Sequence, residues 1–147
     1  VYSALANNEK LTKAMADMQT NSTDEDMIFN FDIPEEYQGN KYAPIIRVNY
    51  IGNKYRSSDD DGAYTKPRVC VSLWTKTFSQ GIKLLPIILD ALKGIGFYRY
   101  ADSHTKDPDT ADQPNKQLYM FQLYVNGIIF EEEEWINGRQ EIRENWR

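Results

Sequence analysis

The most informative stretch of this chain, residues 67–100, reads PRVCVSLWTKTFSQGIKLLPIILDALKGIGFYRY. Apolar and polar residues alternate from Arg68 to Thr75, which predicts a strand. A helix led by Ser79 and rich in Ile and Leu follows, and the glycines after Lys93 end it. An aromatic strand beginning at Phe97 completes a strand–helix–strand unit. This unit can anchor a small α+β domain, and it contains no residues arranged for a reaction.

The same stretch predicts which side chains face the core. On the strand, the side chains of Val69, Val71 and Leu73 point inward, and those of Cys70, Ser72 and Trp74 point to the opposite face. On the helix, roughly 79–93, the apolar stripe is formed by Ile82, Leu85, Leu89 and Leu92. Pro86 costs about 3 kcal/mol inside a helix. The helix therefore either kinks there or has its regular part begin near Leu84.

Length and composition limit the class of protein. The 147 residues predict a single domain, 1–147, with a segment of uncertain role from 126 onward. The net charge of −5 argues against nucleic acid as the main partner, because phosphate binding needs a basic surface. A single cysteine excludes an internal disulfide and favours a soluble protein of a reducing compartment. The chain begins at Val1 and not at Met, which leaves open whether residues precede it.

The N-terminal half predicts two short helices and two strands. Residues 1–18 read as two helical pieces, with Asn7-Asn8 between them as a break that supplies a new N-cap. A short strand covers 27–31, and Pro44 leads a strand over 45–51 that Gly52 closes. A long polar loop is then expected over 52–66.

The C-terminal half predicts a loop, a strand and a turn. A second polar loop covers 102–116, and a strand covers 117–125. Asn126-Gly127 predicts a hairpin after it. For the remainder, a second hairpin at 137–138 and a terminal helix over 139–146 both stay open. The fold class is therefore α+β: a mixed or antiparallel sheet packed against a central helix, with an N-terminal helical segment and a C-terminal hairpin.

No group of residues has the pattern of a catalytic, metal or cofactor site. His104 lies in a polar loop and is expected to be solvent-exposed, and Cys70 in mid-strand lacks the cation or helix N-terminus that activates a thiol. Asp107, Asp109 and Asp112 begin like a calcium loop, but Ala111 occupies a ligand position. We therefore predict no catalytic, metal or cofactor residues and a protein that is not an enzyme.

The order of elements resembles a family of virion proteins. The residues that carry the resemblance are the Pro-led strand 44–51, the strand VCVSLW ending at Trp74, the helix with Asp90-Ala-Leu92, its exit at Gly96-Phe97, and the strand LYMFQLY over 118–124. This arrangement is similar to the tail terminator, or tail completion, proteins of long-tailed siphophages that infect Gram-positive bacteria. The resemblance covers roughly residues 1–125.

The resemblance implies a structural role. The protein would form a ring, six-fold in the family, on the head-proximal end of the tail tube, where it stops polymerisation of the tail tube protein and joins the head-completion protein. DNA would pass through the lumen without specific binding. The protein would belong to the virion and be assembled in the host cytoplasm.

A ring subunit needs two different contact faces. Strand 117–125 is partly apolar on both sides, so one side can pack on the helix while the other meets a neighbour. The predicted interface residues are Trp74, Leu118, Met120, Tyr124, Asp59, Asp60, Asp61, Glu131, Glu132, Glu133 and Glu134. The four glutamates alternatively form a charged strand edge that prevents sheet growth.

Three other functions stay open. The chain could be another head–tail connector or tail-tube component of the same virion. It could be a metal-dependent enzyme, such as a nuclease, built on the acidic loops. It could also be a small host-interaction or inhibitor protein whose acidic surface mimics nucleic acid.

Overall fold

A computed structural model of the chain describes residues 1–56, 64–110, 112–113, 115–127 and 129–130. Three helices and six strands follow one another in these residues, together with one turn of 3₁₀ helix at Glu35–Tyr37. In chain order they are α1 (Tyr2–Ala6), α2 (Glu9–Met18), β1 (Ile28–Asn30), β2 (Ile45–Arg56), β3 (Tyr64–Thr75), α3 (Phe78–Lys93), β4 (Tyr98–Lys106), β5 (Tyr119–Asn126) and β6 (Ile129–Phe130).

The strands form one mixed sheet in the order β1-β2-β3-β5-β4, with β6 also paired to β3. β1 runs parallel to β2, and all other pairs are antiparallel. The helices pack together and against this sheet: α3 contacts β3, β4 and β5, while α1 contacts α3 and β1. The predicted α+β class with a mixed sheet is thereby confirmed.

The core lies between the sheet and the helices. Val69, Val71 and Leu73 of β3 are almost completely buried, as the alternation predicted. The buried stripe of α3 differs from the predicted one, because Ile82 is 44% exposed. The side chains that face the sheet recur at helical spacing: Gly81, Leu84, Leu85, Ile88 and Leu92.

Gly81 allows α3 to approach the sheet closely. A Cβ built on Gly81 would lie less than 3.0 Å from three atoms of the Phe121 ring. Phe121 is fully buried in β5, and its ring also contacts those of Phe78 (5.4 Å between centroids) and His104 (5.0 Å). A side chain at position 81 would therefore force the helix and the sheet apart.

The N-terminal helices form as predicted, with a break and a new cap between them. The Asn8 side chain accepts a hydrogen bond from the Leu11 amide at 2.9 Å, and Glu9 lies in the first turn of α2. Leu5 and Leu11 are fully buried, and with Met15 they join the same core as the sheet residues.

α3 begins at Phe78, one residue before the predicted start at Ser79. Its N-cap is Thr77, whose hydroxyl accepts from the Gln80 amide at 3.2 Å. Pro86 lies within the continuous helix and is exposed, so its missing hydrogen bond falls on the solvent side. At the C-terminus Gly96 adopts φ 82°, and the Phe97 amide donates to the Leu92 carbonyl at 2.9 Å, which closes the helix.

Both predicted polar loops are wrong in extent, because strands continue into them. β2 does not end at Gly52 but runs on to Arg56, and Gly52 adopts φ 130° at a bulge in the pairing with β3. β4 likewise runs through His104 to Lys106, where a loop had been predicted. These segments are polar, so no apolar alternation marks them as strands in the sequence.

The hairpin predicted at 126–127 is also wrong. β6 continues the antiparallel register of β5 on β3, with Ile129 opposite Thr65, so the chain runs straight on. Pro67 interrupts this ladder, because proline has no amide hydrogen to donate. The Gly127 amide still donates to the Pro67 carbonyl at 3.2 Å. The alternatives predicted for 137–146 lie outside the described residues.

Gly127 is buried against the exit of α3. A Cβ at this position would lie 3.1 Å from the Gly96 carbonyl oxygen and 3.3 Å from the Phe97 ring. Such distances are tighter than most side chains tolerate. The path from β5 to β6 is therefore fixed to the turn that ends α3.

Candidate interaction surface

The sheet residues that alternate with the core-facing ones form the other side of the sheet, which we call the open face. Ile45, Cys70 and Ser72 on this side are themselves buried, whereas Trp74, Met120 and Tyr124 are half-buried. Pairing between strands places the residues of the open face in rows across β2, β3, β5 and β4. The rows are Ile45–Trp74–Met120–Thr105, Arg47–Ser72–Gln122–Ser103 and Asn49–Cys70–Tyr124–Ala101.

Three of the predicted interface residues lie together on the open face. Trp74 and Met120 are direct neighbours in one row, Tyr124 lies on the same strand as Met120, and all three are half-buried. Leu118 differs, since it is only 3% exposed and offers little surface to a partner. Two groups of predicted residues, 59–61 and 131–134, lie outside the described residues.

A groove crosses one end of the open face, with a volume of about 470 Å³. Its floor comes from the sheet, and its walls come from residues 32–39 and 107–110. The Asn40 side-chain amide donates to the Asn115 carbonyl at 3.2 Å, which ties the two loops together. The lining combines apolar groups, such as Ile33 and Met120, with the carboxylates of Asp32 and Asp109.

Arg47 and Trp74 form the central pair of this groove. The Arg47 guanidinium carbon lies 5.1 Å from the centroid of the Trp74 ring, within the range of a cation–π contact. The Arg47 Nε is buried and has no hydrogen-bond partner within the described part of the chain. A buried donor without a partner costs free energy.

Polar side chains fill the middle of the open face. The Cys70 Sγ lies 3.7 Å from the Ser72 Oγ, and the hydroxyls of Ser103 and Tyr124 each donate to the Gln122 Oε1 at 3.4 Å. The electrostatic influence of the neighbouring Cys70, and then burial, raise the pKa of the Tyr124 phenol. The phenol of Tyr124 therefore stays neutral at physiological pH.

The residues considered as candidates for a catalytic or metal site either have structural roles or do not lie together. The Asp107 carboxylate accepts from the Asp109 amide at 3.1 Å, and the Asp107 amide donates to the Leu118 carbonyl at 2.8 Å, so Asp107 shapes its own turn. His104 is exposed on β4 beside the rings of Phe78 and Phe121. Among the described residues, no three His, Cys, Asp or Glu side chains are grouped to hold a metal ion.

Sequence reasoning missed Arg47 as a member of this surface. The alternation in 45–51 did place its side chain opposite that of Ile46. Its contact with Trp74 depends on the β2–β3 register, in which Ile45 pairs with Trp74. Trp74 is therefore the diagonal neighbour of Arg47, a distance that long side chains bridge. The sequence alone did not reveal this register.

Comparisons with known proteins find similarity at the level of structure. No protein-family model matches the chain, and no curated protein matches it. Among solved structures, the chain is similar to one from the virion of a native gene transfer agent particle, with a TM-score of 0.55 and 13% identity. The match covers 86% of this chain and 90% of the other. At this identity the two chains share a fold.

Among the described helices, none combines the length and the apolar character needed to cross a bilayer.

Proposed function

We propose that this chain is a structural virion protein of a tailed phage or phage-like particle. The observation that carries the proposal is the fold shared with a component of the gene transfer agent virion over 86% of the chain. The order of elements from the N-terminal helices to β5 supports the same class, because it resembles the tail terminator family. Its function would reside in surfaces that bind other proteins, not in a reaction.

Within that class we propose the tail terminator role. Copies of the chain form a ring, six-fold as in the family, on the head-proximal end of the tail tube. The ring stops addition of the tail tube protein and binds the head-completion protein. The open face is the proposed contact with one of these partners, because Trp74 and Met120 offer a half-buried apolar row on it.

A tube-length assay tests this role. The tail tube protein of the same virion is polymerised with and without the purified chain, and tube lengths are measured by negative-stain electron microscopy. We expect shorter tubes that carry extra density at one end. The role would be refuted by unchanged tube lengths together with a chain that stays monomeric and never binds tube ends.

Variants of the open face test whether this surface makes the contact. Trp74→Ala removes the aromatic partner of Arg47, and we expect weaker binding to the tube or to the head-completion protein. Ile82→Ala is the matched control, because Ile82 is a large apolar side chain exposed on α3, away from the sheet. Circular dichroism confirms that both variants are folded. Equal loss of binding in the two variants contradicts a role for the open face.

A second candidate is another head–tail connector or tail-tube component. The gene transfer agent match favours it equally, since it concerns a whole particle. The assay separates the two: a tube component would be incorporated along the tube, and a connector would bind the head-completion protein without shortening tubes.

A further inference from the structure

The groove on the open face has the dimensions of a binding site. Its volume of about 470 Å³ lies within the range of about 300–1,000 Å³ that is typical of ligand pockets. Its floor holds the half-buried side chains of Trp74 and Met120 as direct neighbours in one cross-strand row. Ile33 adds a half-buried apolar group from one wall. The groove therefore offers an apolar strip on which a side chain of a partner can pack.

Hydrogen bonds hold the walls of the groove in place. In the wall of residues 32–39, the Gln38 side-chain amide donates to the Ile33 carbonyl at 3.0 Å. In the wall of residues 107–110, the Thr110 hydroxyl donates to the Asp107 carbonyl at 3.2 Å and accepts from the Leu118 amide at 2.9 Å. A site whose walls are already ordered loses less entropy when it binds a partner.

The lining of the groove carries more negative than positive charge. Among the described lining residues, the carboxylates of Asp32, Asp107 and Asp109 stand against the guanidinium of Arg47 alone. Asp32 and Asp109 are exposed, one on each wall, whereas Asp107 is only 8% exposed. The guanidinium of Arg47 lies at the floor, against the ring of Trp74. Two carboxylates are therefore available to a cation that enters from solvent.

The charges next to the groove nearly balance one another. The charged residues that adjoin the lining in sequence are Glu35, Glu36 and Asp112, and Lys41, Lys76, Lys106 and Lys116. None of them lines the groove. The ammonium of Lys41 lies 5.2 Å from the centroid of the Tyr42 ring, and that of Lys76 donates to the Thr20 hydroxyl. Lys106 belongs to the other side of the sheet, since it alternates with the open-face residue before it. The acidic excess therefore belongs to the lining itself, where a partner would bind.

An apolar floor between acidic walls selects the chemistry of a partner. Opposite charge guides the encounter of two proteins, and like charge rejects the wrong partner. Arginine and lysine form short, charge-assisted hydrogen bonds with carboxylates. A segment that carries such cations on both sides of an apolar residue matches the order of groups across the groove.

We propose that the groove binds a protein segment in which arginine or lysine residues flank an apolar residue. The apolar residue packs on Trp74 and Met120, and the cations pair with the carboxylates of Asp32 and Asp109. This inference rests on the proposed function, because it states the chemistry of the segment through which the tail tube protein or the head-completion protein meets the open face.

Peptide binding to the full chain tests this assignment. The probe is a short fluorescein-labelled peptide that alternates arginine and leucine, its counterpart has glutamate in place of arginine, and binding is followed by fluorescence anisotropy. We expect the arginine peptide to bind and the glutamate peptide not to bind. Added salt should weaken the binding, because it screens exposed charges. Equal binding of the two peptides, or no binding up to millimolar concentration, overturns the proposal.

Charge variants locate the binding in the groove. Asp32→Asn with Asp109→Asn removes the two exposed wall carboxylates and should weaken binding of the arginine peptide on the order of tenfold at low salt. Asp17→Asn with Asp90→Asn is the matched control, because it removes two exposed carboxylates from α2 and α3 and should leave the affinity unchanged. Asp32→Lys with Asp109→Lys should bind the glutamate peptide instead, a switch that loss of folding cannot produce. Equal weakening by the two asparagine pairs would mean that the peptide responds only to net charge, and it overturns the proposal.

The outcomes distinguish this inference from the proposed function. If the chain stops tube growth but the peptides bind the groove variants and the wild type alike, the groove assignment is wrong and the terminator role stands. If the peptides bind in the groove as expected but the chain neither binds tube ends nor stops tube growth, the groove assignment stands and the terminator role falls.

Discussion

Replacing Gly81 by Ala tests the packing of α3 on the sheet. In a helix interior, Ala is favoured over Gly by about 1 kcal/mol, so propensity alone predicts stabilisation. The added Cβ, however, would overlap the Phe121 ring at less than 3.0 Å. That ring is fully buried and already contacts Phe78 and His104, so it has little room to move.

The balance of these effects gives the expected magnitude. Overpacking a tight core costs up to about 3 kcal/mol. Subtracting the propensity gain of about 1 kcal/mol leaves a loss of up to about 2 kcal/mol in the free energy of unfolding. Urea unfolding followed by circular dichroism measures this loss as a lower midpoint at unchanged slope.

Two further variants make the test specific. Gly94→Ala is the matched control, since Gly94 has helical φ and a Cβ there would make only ordinary contacts, at 3.4 Å or more. It should be neutral or slightly stabilising. Phe121→Leu should cost less in the Gly81→Ala background than in the wild type, because it removes the overlap. A Gly81→Ala protein as stable as the wild type would show that the reasoning is wrong.

Three other substitutions have expected outcomes. Asn8→Ala removes the cap on the Leu11 amide and should lower the free energy of unfolding, measured by urea unfolding, by about 1 kcal/mol. Asn8→Ser should keep most of the wild-type stability, because serine is also a good N-cap. Pro86→Ala restores a helical hydrogen bond at an exposed position and should raise the thermal midpoint by several degrees; a lower midpoint would contradict the helix as described. Cys70→Ala removes the largest contribution to the raised pKa of Tyr124, so tyrosinate absorbance of this phenol should appear at lower pH. Because the pKa of Tyr124 is higher in the folded protein than in the unfolded chain, its contribution to the free energy of unfolding is fully present below the usual pKa of about 10 and is lost as the pH rises above it. Cys70→Ala should make that loss of stability shallower.

The sequence predicted the elements that bury one face and missed those that do not. The alternation of Val69, Val71 and Leu73 and the apolar helix predicted β3 and α3 correctly. β4 has almost no buried side chain, so no alternation distinguishes its second half from a loop. Asn126-Gly127 has the composition of a two-residue turn, but in the structure Gly127 packs closely against Gly96 and Phe97, where a Cβ would make tight contacts.

Sequence reasoning predicted only part of the candidate surface, because only the residues on alternating strands can be assigned to a side of the sheet from the sequence. Trp74, Met120 and Tyr124 were assigned to the side opposite the core from period-two alternation, and the structure places them on the open face. The groove was not predictable, because its walls are loops brought together by the bond between Asn40 and Asn115, 75 residues apart. Arg47 required the cross-strand register. Their role in binding stays a prediction, as does the single domain over 1–147.

The buried Gly127 has a mechanical consequence. β6 continues the register of β5 on β3, and Gly127, which follows β5, lies against the turn at Gly96 that ends α3. A force applied to β6 along the strand axis would act first on the backbone at Gly127 and then on the end of α3. The helix, and not only the strand ladder, would resist extension. Tension from a bound partner would thus reach the core at one defined point.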